Sequence, residues 1–254
     1  MAVSVVKWRV WIPILGYMLM SLGSTASAEE PGKINTRALA EMKRSAEFIA
    51  KLESYHFRAT MLEDRIDASG QVIEHGSVRN FYVRRPDRIR VEIEHNSGDS
   101  LLFTANPRKV AASRNSGAKF AEIDSPGSLD DVIDLLIMEL GVRPPLANLV
   151  YSNLWRVLRP RIESAQYVGE VKLGSARCHH LAFRNEDVDW QIWIDAGEQP
   201  LPRRMVIHYK SEPGGLTVRA SIDQWNVQSA HDPSQFDQKA SEGAKKVSLS
   251  ELAK

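Results

Sequence analysis

From Arg88 to Glu94 the chain alternates without a break, with Ile89, Val91 and Ile93 on one side and Arg88, Arg90, Glu92 and Glu94 on the other. Successive side chains of an extended strand point to opposite faces, so this run is expected to be a strand with one apolar and one wetted face. Extended runs are also expected at 54–62, 71–84, 100–105, 109–113, 119–123, 162–173, 176–184, 188–195, 203–210 and 216–227. Turn chemistry separates them at Asp67-Ala68-Ser69-Gly70, Pro86-Asp87, Asn106-Pro107, Asn115-Ser116-Gly117, Gly174, Asn185-Glu186, Gly197 and Pro213-Gly214-Gly215. Connections this short join antiparallel neighbours. A sheet of roughly ten strands cannot stay flat, because strand twist accumulates, so it should curl toward a barrel or half-barrel.

Helical periods interrupt the strands. Between Thr36 and Leu52 the residues Leu39, Met42, Ala46, Ile49 and Leu52 recur at three- and four-residue steps, which predicts an amphipathic helix with one buried stripe. Ser128 followed by Asp131 is a capping-box start, and Leu129, Val132, Ile133, Leu136, Ile137 and Leu140 form one apolar face before Gly141 stops the helix. Pro144-Pro145 opens a second apolar segment in which Leu146, Leu149, Val150, Leu154 and Trp155 have helical spacing. The expected architecture is α+β: a curled antiparallel sheet forming an unclosed half-barrel, its concave face covered by two or three helices. Residues 29–254 read as one domain with a helical insertion at about 128–158. Incomplete cover would leave a cavity between sheet and helices, a common kind of ligand site.

The first 28 residues are an address. Lys7 and Arg9 precede an apolar stretch from Val10 to Leu22, interrupted by Pro13 and Gly16, and Ala26-Ser27-Ala28 is a small-x-small cleavage site. The stretch is too short for a membrane span, which needs about 20 residues. Cleavage after Ala28 would release a periplasmic protein without an integral span and without a lipidation cysteine, since the one Cys is Cys178. Removing Lys7 and Arg9 takes the formal net charge from +1 to −1. That near-balance argues against a nucleic-acid partner, which requires a concentrated basic surface. A lone cysteine supplies neither an internal disulfide nor a thiolate zinc site, so the hydrophobic core must hold the fold.

Three segments carry a resemblance: Arg84-Arg85-Pro86-Asp87-Arg88-Ile89-Arg90; Tyr167-Val168-Gly169 leading to Cys178-His179-His180-Leu181-Ala182-Phe183-Arg184; and Val188-Asp189-Trp190-Gln191-Ile192-Trp193-Ile194 with Pro200-Leu201-Pro202-Arg203. Over about Ala38 to Leu249 the chain resembles an uncharacterised family of predicted periplasmic proteins. That family is similar in turn to the lipoprotein-carrier superfamily of LolA, LolB and the regulator RseB. The resemblance implies an unclosed barrel plugged by helices and a habit of binding acyl chains; fold-level likeness by itself transfers no activity.

The chemistry-bearing residues point to binding rather than catalysis. On a strand, Cys178 and His180 share one face and His179 takes the other, so at most two of the three could reach one ion, and no metal or other cofactor is expected. Glu186, Asp187 and Asp189 sit beside a turn, where acidic residues are ordinary, and no nucleophile elbow, metalloprotease helix, phosphate loop or dinucleotide fingerprint occurs. The expected cavity lining is Leu129, Ile133, Leu136, Ile137, Leu146, Leu149, Trp155, Trp190 and Ile192, in a helical region that could act as a lid hinged at Gly141 and Pro144-Pro145. Arg85, Arg88 and Arg90, with Trp193, are candidates for contact with an anionic headgroup or a partner. For the arginines Arg79, Arg84, Arg85, Arg88 and Arg90 the plainer expectation is a solvated strand face. The leading functional reading is an exported protein that binds a lipid, an acylated envelope protein or another hydrophobic ligand. A regulatory or interaction module without a small ligand is the alternative, and a hydrolase with a dispersed site is the third.

Overall fold

The longest ladder pairs Ser54–Ile66 (β1) with Val72–Arg84 (β2), in register from Ser54 opposite Arg84 to Ile66 opposite Val72. In the computed structural model, residues 33–141, 144–211 and 216–252 are described. The expected signal segment and the Pro213-Gly214-Gly215 turn lie outside them. From β2 the meander continues through Arg88–His95 (β3), Ser100–Ala105 (β4), Lys109–Arg114 (β5) and Lys119–Asp124 (β6). A helical interlude follows, and then Ser164–Leu173 (β7), Ala176–Arg184 (β8), Val188–Asp195 (β9), Pro202–Tyr209 (β10) and Leu216–Asn226 (β11). β11 closes back onto β1, from Asn226 opposite His56 to Val218 opposite Glu63, which welds the two meanders into one sheet. A two-residue strand, Lys245–Lys246 (β12), adds parallel to β6 and gives the order β12-β6-β5-β4-β3-β2-β1-β11-β10-β9-β8-β7. The two end strands of that order are not paired with each other, so the sheet is an unclosed half-barrel.

The alternating residues resolve into a concave and a convex face. Tyr55, Phe57, Ala59 and Met61 point inward and are fully buried. Phe57 stacks against Phe81 and Trp225, with ring centroids 4.5 Å away in each case. Burying aromatics of this size gives the seam between the meanders its cohesion.

Thr36–Ala50 (α1) covers β7, β8 and β9. Asn35 caps it by accepting a hydrogen bond from the Ala38 amide. Its buried stripe, Ala38, Met42, Ser45, Ala46 and Ile49, is rich in small residues, which lets the helix approach the sheet closely. The Ser45 hydroxyl donates to the Pro200 carbonyl at 2.6 Å, and Arg44 donates to the carbonyls of Asp195 and Gly197, so the approach is also fixed by polar contacts.

The other cover is less regular. Leu129–Asp134 (α2) starts with the Ser128/Asp131 capping box, as its sequence predicts. Its continuation, residues 135–139, winds as a π-turn, with the Leu140 amide donating to the Leu135 carbonyl. The second apolar segment is not one helix either. It is a 3₁₀ turn at Ala147–Leu149, Leu154–Leu158 (α3) and a further 3₁₀ turn at Arg159–Arg161, and α3 packs on α1. Leu146 enters this segment at φ +68°, a left-handed conformation that a branched side chain adopts only under strain. Leu249–Leu252 (α4) packs over the cavity side of β5 and β6.

Candidate functional site

A cavity of about 880 Å³ lies between the concave face of β2–β5 and the helical cover. Its size falls within the ordinary ligand-pocket range of roughly 300–1,000 Å³. The floor comes from alternation: Phe81 on β2, Ile89, Val91 and Ile93 on β3, Phe103 on β4 and Ala112 on β5. Leu129, Val132, Ile133, Leu136 and Leu140 form the opposing wall, Pro144, Pro145, Ala147 and Val150 continue it, and Leu249 and Leu252 of α4 close a side. The cover is a set of short, differently wound segments, so no single regular apolar stripe spans the trough.

One end of the cavity is charged. Glu63, Arg65, His75, Arg79, His95, Asp99 and Arg114 line it together with Ser97. Arg79 is nearly buried at 8% exposure, ion-paired with Glu63, and its Nε donates to the Ser77 hydroxyl. Arg65 reaches the other oxygen of Glu63 at 3.4 Å. Burial pulls the His95 imidazole below its ordinary pKa, and the neighbouring Arg79 guanidinium adds to the effect, so His95 is neutral near pH 7.

The predicted lining divides. Leu129, Ile133 and Leu136 stand in the cavity wall. Ile137 does not, because the π-turn rotates it off the face that a continuous α-helix would present. Leu146 and Leu149 are buried in the packed core rather than on the cavity, and Trp155 is half-buried where α3 meets α1. Trp190 stacks on Phe183 at 4.1 Å and Ile192 is buried, both on the half of the sheet that α1 covers. Sequence alone puts these on the cavity because it does not say which stretch of the concave face each helix fills.

The predicted headgroup residues are also displaced. Arg85 is a rivet: it donates to the carbonyls of Leu52, Val150 and Tyr151 and to the Tyr55 hydroxyl. Tyr55 in turn donates to the Leu149 carbonyl, and burial pushes its phenol up to about 12. Arg88 pairs with Asp87, while Arg90 pairs with Glu92 and donates to the Gln235 carbonyl. Trp193 lies on the convex face, stacked on His180 at 4.1 Å and beneath Arg204. Of the arginines expected on a solvated face, two depart from it: Arg85, bonded to interior carbonyls, and Arg79, turned into the cavity with the rest of the inward β2 residues.

The other chemical candidates have structural partners. Cys178 is buried, His179 shares a hydrogen bond with the Tyr167 hydroxyl at 2.9 Å, and His180 shares one with the Gln191 side-chain oxygen. Among the described residues no group of three His, Cys, Asp or Glu gathers. Burial alone would raise the Asp189 carboxyl, but hydrogen bonds and charge from Arg184 and Lys210 outweigh it and hold the group below its ordinary value, as in a structural ion pair. No helix among the described residues is long and apolar enough to cross a membrane.

Residues 38–250 match the family described as predicted periplasmic protein (DUF2092). No curated protein matches the chain in sequence. Among solved structures, the chain is similar to an uncharacterized conserved protein from Thermus thermophilus, with 13% identity over 84% of this chain and 99% of that one, at a TM-score of 0.48. It is also similar to the Mycobacterium tuberculosis lipoprotein LppX, with 13% identity over 77% and 98% of the respective chains, at a TM-score of 0.49. A LolA superfamily protein from Nitrosomonas europaea is 10% identical over 79% of this chain and 97% of its own, at a TM-score of 0.44.

Proposed function

From the premise that the chain belongs to the family of predicted periplasmic proteins, we propose that it is a binding protein of that compartment, holding the hydrocarbon part of a lipid or of an acylated protein. The observation that carries this reading is the cavity of about 880 Å³, walled by aliphatic and aromatic side chains of β2–β5, α2 and α4. Water in such a space makes few hydrogen bonds with its walls, so an apolar chain displaces it favourably. A tail of about 14 methylenes, at about 0.8 kcal/mol each, releases about 11 kcal/mol on burial. Association costs of roughly 4–15 kcal/mol leave a net affinity in the micromolar range or weaker, which suits a protein that must also release its load.

The test is direct. Protein purified from the periplasm without detergent is extracted with organic solvent, and the extract is identified by mass spectrometry against a refolded, delipidated control. Stoichiometric lipid or acylated peptide is expected. Ala147→Trp, which pushes an indole into the cavity from its wall, should abolish uptake while leaving a folded protein. An empty wild-type protein that folds cooperatively and takes up no added lipid overturns the reading.

A second reading, an interaction module of the envelope, draws on the tip of the β1–β2 hairpin. There Ile66, Val72 and Ile73 are exposed together, with Val72 at 58%. Under that reading Ala147→Trp is neutral, and charged substitutions at Val72 and Ile73 remove function.

A further inference from the structure

The strands under the cavity change from apolar to charged inward residues within two rungs of one another. On β1 the inward positions run Phe57, Ala59, Met61 and then Glu63 and Arg65; on β2, Phe81 is followed by Arg79; on β3, Ile93 by His95; on β5, Ala112 by Arg114. Inward slots of a curved sheet ordinarily stay apolar, because a charge there loses hydration. Arg79 and Arg114 stand on one rung, level with Ile93 and Leu101, and His95 and Glu63 follow further toward the same end, so the switch on four strands divides the cavity into a hydrocarbon length and a charged end. From Ile89 to His95 the trough runs about 20 Å, at roughly 3.3 Å per residue.

The charged end carries an excess. Three arginines, Arg65, Arg79 and Arg114, line it against two carboxylates, Glu63 and Asp99. Glu63 is taken by Arg79 and Arg65, whereas Arg114 has no hydrogen bond or ion pair from its guanidinium to any described residue. A planar guanidinium at the rim of a largely apolar space is suited to bidentate contact with a carboxylate or a phosphate oxygen pair.

Resting on the binding reading above, we infer that the cavity is built for an amphiphile with one anionic head, of the long-chain carboxylate kind. Its head sits against Arg114 beside the Arg79–Glu63 pair, and its tail runs toward α2 and α4. One uncompensated positive charge matches a monoanion. The two carboxylates would repel a second negative charge, and an uncharged head would leave Arg114 without its partner.

The experiment uses the delipidated mature protein, with tetradecanoate and tetradecan-1-ol as competitors displacing a neutral fluorescent naphthylamine probe. Tetradecanoate is expected to bind more tightly than the alcohol by about tenfold, the usual worth of one charge-assisted hydrogen bond. Arg114→Gln should remove that preference by weakening tetradecanoate, without weakening the alcohol. Raising the salt to about 0.5 M should narrow the gap in the wild type, because a partly exposed charge contact is screened. If acid and alcohol bind equally, or Arg114→Gln weakens both alike, the headgroup site is overturned and the hydrocarbon-binding reading stands. If neither competitor displaces the probe, both fall.

Discussion

One sheet carries two kinds of interior. Under β7–β9 the cover is α1, a fifteen-residue helix with a continuous stripe of small and medium apolar residues, and the space is filled: Ala38, Met42, Ala46 and Ile49 meet Leu181, Phe183, Ile192 and Ile194. Under β2–β5 the cover is a six-residue helix, a π-turn and a 3₁₀ turn, and about 880 Å³ stays open. Apolar inward residues line both, although the hollow half ends in the charged group around Arg79 and Glu63. The covers also differ in continuity, one regular helix against a short helix broken by a π-turn and a 3₁₀ turn.

The largest effect that could break this comparison is expected from paired truncations. Ile49→Ala, in the filled half, should destabilise by about 2–5 kcal/mol, the usual cost of a core cavity. Leu136→Ala, in the cavity wall, should cost under about 1.5 kcal/mol, since Leu136 already faces open space on one side. Chemical denaturation of the two variants checks the difference, and equal losses would mean that the hollow half is filled in solution. Next in size, Arg85→Ala should cost about 3 kcal/mol by freeing the carbonyls of Val150 and Tyr151 from their charged donor. Native-state hydrogen exchange should then show residues 147–151 opening before β1 and β2.

The smallest effect is in pH. Burial holds the pKa values of His56, His95 and His180 below the ordinary imidazole value. As pH falls through about 6.5 the unfolded chain takes up protons that the folded chain does not, so stability drops with acidification. Asp67, Asp131, Asp189 and Asp232 are held low instead, and their contribution is lost only in strong acid. The melting temperature should therefore decline between about pH 7.5 and 5.5. His95→Gln should flatten that decline for the hollow half and His180→Gln for the β8 side, and an unchanged slope in both would remove the histidines as its cause.

Much of this architecture is legible in period two and period 3.6. Runs such as 88–94, 176–184 and 188–195 become strands because each carries its own alternation, and α1 forms because its stripe is complete. Legibility fails where an element's reason is not local. Apolar alternation on β1 ends at Leu62, since Glu63-Asp64-Arg65 breaks it; the strand runs on to Ile66 because inward charges are accommodated at the polar end of the cavity. Arg79 reads as one of a solvated row, yet Phe81 and Val83, its same-face neighbours, are buried, and that parity is the available signal. Ile137 and Trp155 face the cavity only under ideal helix geometry, which neither the π-turn nor the broken second segment obeys. β12 and α4 are two and four residues long, with no period to read; only their docking on β5 and β6 defines them.

An unclosed sheet has two borders where a foreign extended chain could add itself and start a polymer. At one border, β12 lies along Lys119 and Phe120 of β6. At the other, Ile34 bridges Ala165 at the start of β7, and further along Gly169 shifts the register while Glu170 and Lys172 face outward. The ends of the described chain thus act as selvedges. They let the molecule keep an open trough without presenting a long bare margin on which copies of itself could stack.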